Sequence, residues 1–237
     1  MKKGCIVFTL LVFGVAFSAT AQENHGVDFS VGADVVSSYV FRGTYQENFS
    51  GINVQPTASL SACGFSLGAW GSTNLFSPAK ELDLIVGYEI AGISLAITDY
   101  WVVDAGANYF KYDKNNTAHT FEATVGYTLP EAFPLSISWN TYFAGADDIY
   151  SDGDNDFSTY VGLTYPFSIK SVNLAAELAF TPWKGAYSDK LNVVNINLKA
   201  AKEIRITNDF SLPVFAQYII NPYLEDANFV FGFSLGL

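Results

Sequence analysis

Charged side chains recur at every second position of segments whose other positions are mostly apolar. They are Asp28, Asp34, Arg42, Asp83, Glu89, Glu122, Glu177 and Lys199. Because alternate side chains of a β-strand share one face, these groups would point to the same side of a sheet. Carboxylates are in excess there and would attract cations where low-dielectric walls focus the field. The alternative is that the carboxylates pair with Arg42 and Lys199 and fill the space.

Five large aromatic side chains have the same parity as the charged groups: Trp70, Tyr100, Tyr142, Tyr160 and Phe215. Rings in such positions could line a narrow path for a flat or sugar-like solute. Packing of the rings against one another near the rim is the simpler interpretation, and we favour it.

Five aspartates lie close together in a polar stretch: Asp147, Asp148, Asp152, Asp154 and Asp156. Hard cations prefer several carboxylate oxygens from alternate positions, so Asp152, Asp154 and Asp156 are weak candidate calcium ligands. The glycine and the closing glutamate of a helix–loop–helix calcium site are absent. We therefore expect a solvated loop. The ion binding expected of such a loop is loose, with divalent ions that bridge its carboxylates to lipopolysaccharide.

Catalysis in a barrel would need a polarised nucleophile, or a carboxylate with a histidine. The chain has two histidines. His25 precedes the first predicted strand, and His119 has the parity of the apolar face at the edge of a predicted loop. A serine–histidine pair at His119 stays as a minor hypothesis, but we expect neither an enzyme nor a cofactor.

The positions opposite the charged groups form an apolar face with a period of two. Twelve such segments span residues 27–41, 51–62, 65–72, 82–90, 93–101, 118–129, 135–144, 157–166, 172–180, 191–201, 210–220 and 228–237. Strands of about ten residues can cross a bilayer when tilted. No apolar run of about 18 residues follows residue 21, which excludes helical spans. The pattern predicts an all-β fold, a transmembrane antiparallel up-and-down β-barrel of twelve strands.

The predicted connections alternate between short turns and long polar loops. Cys63-Gly64 and Ala91-Gly92 are short, whereas the segment from Val102 to Ala118 is long and aromatic. Short periplasmic turns and long extracellular loops are typical of outer-membrane barrels. Aromatic side chains also collect at both ends of the strands, as at two membrane interfaces. A soluble sandwich would need neither feature.

The N-terminus has the three parts of a secretory signal peptide. Lys2 and Lys3 precede an apolar stretch from Ile6 to Phe17, and Ala19-Thr20-Ala21 follows. We expect residues 1–21 to be the signal peptide and residues 22–237 the barrel domain. Export and barrel together predict a location in the outer membrane of a Gram-negative bacterium.

Acidic residues exceed basic ones, with a net charge of −11 at pH 7. Loss of Lys2 and Lys3 would make the mature chain more negative, which argues against nucleic acid as a partner. One cysteine, Cys63, would remain, so an internal disulfide is excluded. The expected partners are outer-membrane lipid and lipopolysaccharide, the outer-membrane assembly machinery, and a small solute of unknown identity.

One short motif lies in residues 34–46, DVVSSYVFRGTYQ. It contains Ser37, Tyr39, Arg42 and Gly43 in an S-x-Y-x-x-R-G pattern. This segment resembles the opening strand and first loop of the TorF-type (Gcw_chp-like) family of outer-membrane porins. The resemblance implies a porin-like barrel with no well-assigned substrate, and it implies no catalytic residues.

The leading hypothesis is a channel or porin that passes small hydrophilic solutes with a mild preference for cations. Its pore-lining candidates are Asp34, Arg42, Asp83, Glu89, Glu122, Glu177, Lys199, Trp70, Tyr142 and Tyr160. The alternative is a non-conducting structural or surface-interaction barrel that acts through its extracellular loops, because long loops in a compact domain are often functional. An outer-membrane hydrolase is a third hypothesis.

Overall fold

A computed structural model describes residues 26–103, 108–113, 117–147 and 154–236. The predicted signal peptide and His25 lie outside these ranges. The strands are β1 Asp28–Val36, β2 Val40–Phe41, β3 Thr44–Tyr45, β4 Asn53–Ala62, β5 Phe65–Asn74, β6 Lys80–Ile90, β7 Ile93–Val103, β8 His119–Thr128, β9 Ser136–Gly145, β10 Thr159–Ile169, β11 Val172–Thr181, β12 Asn192–Arg205, β13 Ser211–Asn221 and β14 Asp226–Gly236. A single-turn 3-10 helix spans Glu47–Phe49. None of the helices in the described ranges has the length and apolar character needed to cross a membrane.

Twelve of these strands, β1 and β4 to β14, form a closed antiparallel barrel. Each pairs with its neighbour in sequence, and β14 returns to β1 with Leu235 opposite Ala33. On its other side β1 pairs with β4, where Pro56 lies opposite Ala33. Closure gives every wall strand a partner on both sides and so leaves no edge strand, which is the requirement for a sheet surrounded by hydrocarbon. The predicted fold and strand number are confirmed.

The two faces of the wall differ as the period of two predicts. Outward side chains are large, apolar and exposed, including Phe29 (69%), Val86 (55%) and Phe231 (60%). Inward side chains are polar or aromatic and are mostly buried. Since water would penalise so large an apolar outer surface, the outer face is suited to lipid. The fold is that of a transmembrane barrel.

The first strand is shorter than predicted. The period of two predicts one strand over residues 27–41, but β1 ends at Val36. The Ser37 N–H still donates to the carbonyl oxygen of Phe231 (2.9 Å), after which the chain leaves the wall. Tyr39 is 6% exposed inside the barrel. The prediction was wrong because alternation continues through residues 37–41 although the backbone turns inward.

Other strands are longer than predicted at their polar ends. β6 begins at Lys80, β12 continues to Arg205 and β14 begins at Asp226. Main-chain pairing continues beyond the belt of outward apolar side chains that faces lipid. Charged side chains therefore mark the limit of this belt and not the end of the strand. Two predicted turns are tight hairpins in which Cys63 and Ala91 have positive φ (both 51°). A glycine follows each, as in the two-residue turns that match strand twist.

The outward position of Val86, in the middle of β6, provides a test of the barrel's orientation. We expect Val86→Arg to destabilise the barrel folded in lipid vesicles by about 2–4 kcal/mol, because a charge then faces hydrocarbon. Val86→Leu is the control and should change little. The measurement is the free energy of unfolding in denaturant with vesicles present. Equal stabilities of the two variants would show that this face does not meet lipid.

Candidate functional site in the barrel lumen

Residues 37–51, here called the inner segment, fold from the end of β1 into the lumen. Its strands β2 and β3 pair as a small hairpin. Arg42 and Gly43 form the turn, and both have positive φ (49° and 84°). A side chain at position 43 would drive its Cβ into the carbonyl oxygen of Val194 on β12. Glycine is therefore required where the hairpin touches β12.

Apolar packing anchors the base of the inner segment. Tyr39, Phe49, Trp70 and Ala79 form a buried cluster. The ring centroids of Tyr39 and Phe49 are 5.3 Å apart, and those of Tyr39 and Trp70 are 5.6 Å apart. The Asn53 amide donates to the carbonyl oxygen of Phe49 (2.8 Å). The motif's tyrosine is thus a packing residue that holds the segment against the wall.

Arg42 forms a two-point ion pair with Glu122 on β8. Its Nη1 donates to Oε2 (2.5 Å) and its Nη2 to Oε1 (2.8 Å). The two side chains are 8% and 0% exposed. The guanidinium carbon also lies 4.8 Å from the ring centroid of Tyr160 and 4.9 Å from that of Phe41. Each charge therefore depends on the other, because neither is solvated by bulk water.

Tyrosine hydroxyls complete the surroundings of this ion pair. The Tyr100 hydroxyl donates to Glu122 (2.9 Å), and Arg42 donates to the Tyr187 hydroxyl (2.5 Å). The Tyr142 ring lies between them, with centroid distances of 5.9 Å to Tyr100 and 6.0 Å to Tyr187. Of the aromatic residues predicted to face inward, Tyr100, Tyr142 and Tyr160 surround this ion pair. Trp70 packs on Tyr39, and Phe215 packs in a separate cluster with Val36, Ile219 and Val230.

Glu177 has its own partners on the neighbouring strands. The Tyr160 hydroxyl donates to Glu177 (2.6 Å) and accepts a hydrogen bond from the Asn195 amide (2.9 Å). This chain of bonds fixes Tyr160 where its ring faces Arg42. A predicted lumen carboxylate and a predicted lumen ring therefore belong to one hydrogen-bonded unit.

A polar cavity of about 210 Å³ borders the inner segment. Its polar lining includes Asp34, Gln55, Ser138, Thr164, Glu177, Asn197, Lys199 and Gln217. Three other lining residues, Ser136, Pro166 and Ala175, lie near the short turns. The cavity therefore reaches toward the short-turn side, while the inner segment occupies the loop side.

The remaining predicted lumen charges lie on the inward face but in different surroundings. Asp34 is 7% exposed, and its carboxylate and the Lys199 ammonium attract each other. The Lys199 ammonium also lies 4.5 Å from the ring centroid of Phe215. Glu89 is half-buried near the Ala91-Gly92 turn, and Asp83 is fully buried. The structure thus brings Asp34 and Lys199 together and leaves Glu89 near the short-turn end.

The alternation of polar and apolar residues did not predict four residues that the structure places in the lumen. Glu81 was missed because the strand containing it was predicted to begin at residue 82, although the alternation with Asp83 already includes it. Tyr187 lies in the connection between β11 and β12, where no periodic signal exists. Phe49 and Tyr39 were missed as lumen residues because the inward fold of a loop has no signature in the strand pattern.

His119 and Asp99 lie on the outer face, away from the lumen. His119 Nδ1 is 2.7 Å from Asp99 Oδ1, and Nε2 is 2.6 Å from the carbonyl oxygen of Tyr109. A general base must offer a free ring nitrogen to a nucleophile, and both nitrogens here face acceptors. The Tyr112 ring stacks on His119 at 4.4 Å. This geometry attaches the loop to the wall and does not support the hydrolase hypothesis.

Asp147, the first aspartate of the aspartate-rich loop, has a structural role. Asp147 accepts hydrogen bonds from the Ser158 hydroxyl (2.5 Å) and N–H (3.0 Å), which closes the loop. Burial raises the pKa of the Asp147 carboxyl, and the bonds from Ser158 oppose that rise. Asp148 and Asp152 lie outside the described residues. In the part of the chain that is described, no group of three or more histidine, cysteine, aspartate or glutamate residues could hold a metal ion.

The wall and the lumen define a class of protein: a transmembrane β-barrel of twelve strands with an inward-folded segment between its first two wall strands. The chain belongs to the family described as "Bacterial protein of unknown function (Gcw_chp)", whose model matches residues 19–213. This match confirms the resemblance seen in the motif. No protein with a curated function matches the chain.

Two solved structures are similar in shape. One is an outer membrane channel from Pseudomonas putida F1, with 15% identity, a TM-score of 0.45, and coverage of 92% of this chain and 97% of that chain. The other is the outer membrane protein OprD from Pseudomonas aeruginosa, with 14% identity and a TM-score of 0.37, covering 100% of this chain and 73% of that one.

The Arg42–Glu122 pair predicts a large stability difference between single and double variants. We expect Arg42→Met to destabilise the barrel by about 3–5 kcal/mol, because it leaves the Glu122 carboxylate buried without its counter-charge. Adding Glu122→Gln should recover most of this loss. The measurement is a double-mutant cycle on the free energy of unfolding. Additive effects of the two substitutions would contradict a direct pair.

Proposed function

We propose that the chain is an outer-membrane channel for small hydrophilic solutes, restricted on its loop side by the inner segment. The observation that carries this proposal is a polar cavity inside a wall whose outer face is apolar. A polar interior and an apolar exterior are the requirements of a porin. Barrels of about eight strands fill with side chains, whereas twelve strands leave more room.

The outer membrane is the location that best suits this wall, because closed β-barrels with an apolar band span that membrane. The signal-peptide pattern of residues 1–21 supports export. Lipopolysaccharide at the loop ends and the outer-membrane assembly machinery are the partners that such a location implies.

Ion preference is the finer part of the proposal. The charged residues that line the cavity are balanced: Asp34 and Glu177 against Arg42 and Lys199. A mild preference for cations therefore rests on the carboxylates outside the cavity lining, Glu89 above all, which lies near the short-turn end. Carboxylates near a mouth raise the local concentration of cations.

A non-conducting barrel is the alternative, and one observation favours it. Glu122 and Asp83 are fully buried on the loop side of the lumen, so solvent does not reach them past the inner segment. Such a protein would act through its loops, where Phe110 is 83% exposed and Tyr112 is 52% exposed. Aromatic side chains in exposed loops are suited to binding a partner surface.

Single-channel conductance of the refolded protein in a planar bilayer distinguishes the two functions. We expect small openings for the unmodified chain and larger ones for the Arg42→Met, Glu122→Gln double variant. The double variant frees the tip of the inner segment and leaves neither position 42 nor position 122 charged. Val86→Leu, which changes an outward apolar side chain of β6, is the control and should behave as the unmodified chain.

A correctly folded barrel that conducts in neither form would overturn the channel proposal and favour a role for the loops. A salt gradient in the same experiment reports ion preference. We expect the reversal potential to indicate cations, and Glu89→Gln to move it toward zero, because the substitution removes a carboxylate near the short-turn mouth.

A further inference from the structure

Two carboxyl groups of β6 are buried in the lumen wall. None of the side chains with the strongest electrostatic effect on them is basic. Glu81 is 8% exposed and Asp83 is fully buried. Glu81 and Asp83 are two residues apart on β6, so their side chains share the inward face, and their negative charges act on the Tyr39 hydroxyl of the inner segment. The charges that act on Asp83 come from Glu81, Asp99 and Glu122, all of them acidic. The pair is therefore a concentration of negative charge away from water.

Two buried hydroxyl groups border the pair and have no hydrogen-bond partner. Ser72 is 2% exposed and Thr98 is fully buried. Ser72 lies directly opposite Glu81 in the β5–β6 register. Thr98 is two residues from Tyr100, which lies opposite Asp83. All of these side chains have inward parity, and directly opposite and diagonal neighbours are close enough for side chains to meet.

Neither carboxylate oxygen of Asp83 receives a hydrogen bond from an N–H or O–H donor. Ser72 and Thr98 each add one more oxygen without a partner. Buried charges in proteins are paired or coordinate metal ions, because an isolated charge in a low-dielectric wall is costly. Carboxylate and hydroxyl oxygens are ligands that hard cations prefer.

We propose that Glu81 and Asp83 bind one hard divalent cation, with the hydroxyl groups of Ser72 and Thr98 as further ligands. A divalent ion neutralises both carboxylates at once. Ca²⁺ fits this set best, because it accepts irregular oxygen coordination, whereas Mg²⁺ requires near-octahedral geometry and loses water reluctantly. The two hydroxyls take the place of a third acidic ligand.

The site has a consequence for the inner segment. Tyr39 packs on Phe49 and Trp70 through its ring, and the negative charge of Glu81 acts on its hydroxyl. A bound cation would fix the position of the Glu81 carboxylate, which faces Tyr39. It would thereby stabilise the inner segment in the lumen. This inference stands whether or not the barrel conducts.

Equilibrium dialysis of the refolded full-length chain against ⁴⁵Ca²⁺ tests the proposal. We expect one ion per chain, with binding in the range of about 0.1–1 mM that is typical of extracellular calcium sites. Asp83→Asn should weaken binding by about tenfold or more. Glu203→Gln removes a carboxylate at the exposed end of β12 and is the matched control, expected to bind as the unmodified chain.

A second readout is thermal unfolding with and without Ca²⁺. We expect Ca²⁺ to raise the melting temperature of the unmodified chain and of Glu203→Gln, but not that of Asp83→Asn. If Asp83→Asn fails to refold, the Ser72→Ala, Thr98→Val double variant decides the matter, since it keeps every charge. Weaker binding by that variant supports the proposal, and unchanged binding overturns it.

Two further results would overturn the cation site. One is the absence of saturable Ca²⁺ binding at millimolar concentration. The other is an Asp83→Asn chain that is more stable than the unmodified chain while neither binds Ca²⁺, which would show that the carboxyl pair shares a proton instead.

Discussion

The absence of hydrogen-bond partners in hydrocarbon is the constraint on which this structure depends. Every N–H and C=O group of the wall must pair with another strand, so the sheet closes and β14 returns to β1. Once the sheet is closed, each strand has lipid on one face and the lumen on the other. Side chains of one parity meet lipid and those of the other meet the lumen, which is why apolar residues such as Val86 alternate with charged ones such as Asp83.

A lumen of twelve strands is too wide to be filled by wall side chains alone, and the inner segment occupies part of it. Its placement relies on two kinds of interaction at different points. Apolar packing around Tyr39 holds the base, and the Arg42–Glu122 ion pair holds the tip. Gly43 allows the tip to approach the backbone of β12 more closely than any side chain would permit. The S-x-Y-x-x-R-G motif therefore encodes the constriction rather than the wall.

The lumen charges divide into groups with different physical roles. Arg42 is paired with Glu122, and the charged residues of the cavity lining, Asp34 and Glu177 against Arg42 and Lys199, give the cavity little net charge. Glu81 and Asp83 have no such partner and lie next to hydroxyls that also lack one. The acidic excess in the composition thus does not translate directly into an acidic pore. Which carboxylates face solvent, and which are buried, is decided by the position of the inner segment.

The wall follows from the sequence alone. A period of two over segments long enough to cross a bilayer, short glycine turns and an even strand number follow from local geometry, so the twelve strands and the inward parity of Trp70, Tyr142 and Glu177 could be predicted. The inner segment could not, because residues 37–41 keep the alternation of a strand while the backbone turns away from it. Only the tertiary structure brings Arg42 to Glu122, 80 positions apart in the chain, or Ser72 to Glu81. Alternation specifies which face of a strand a residue occupies, but the contacts across a lumen depend on closure of the whole sheet.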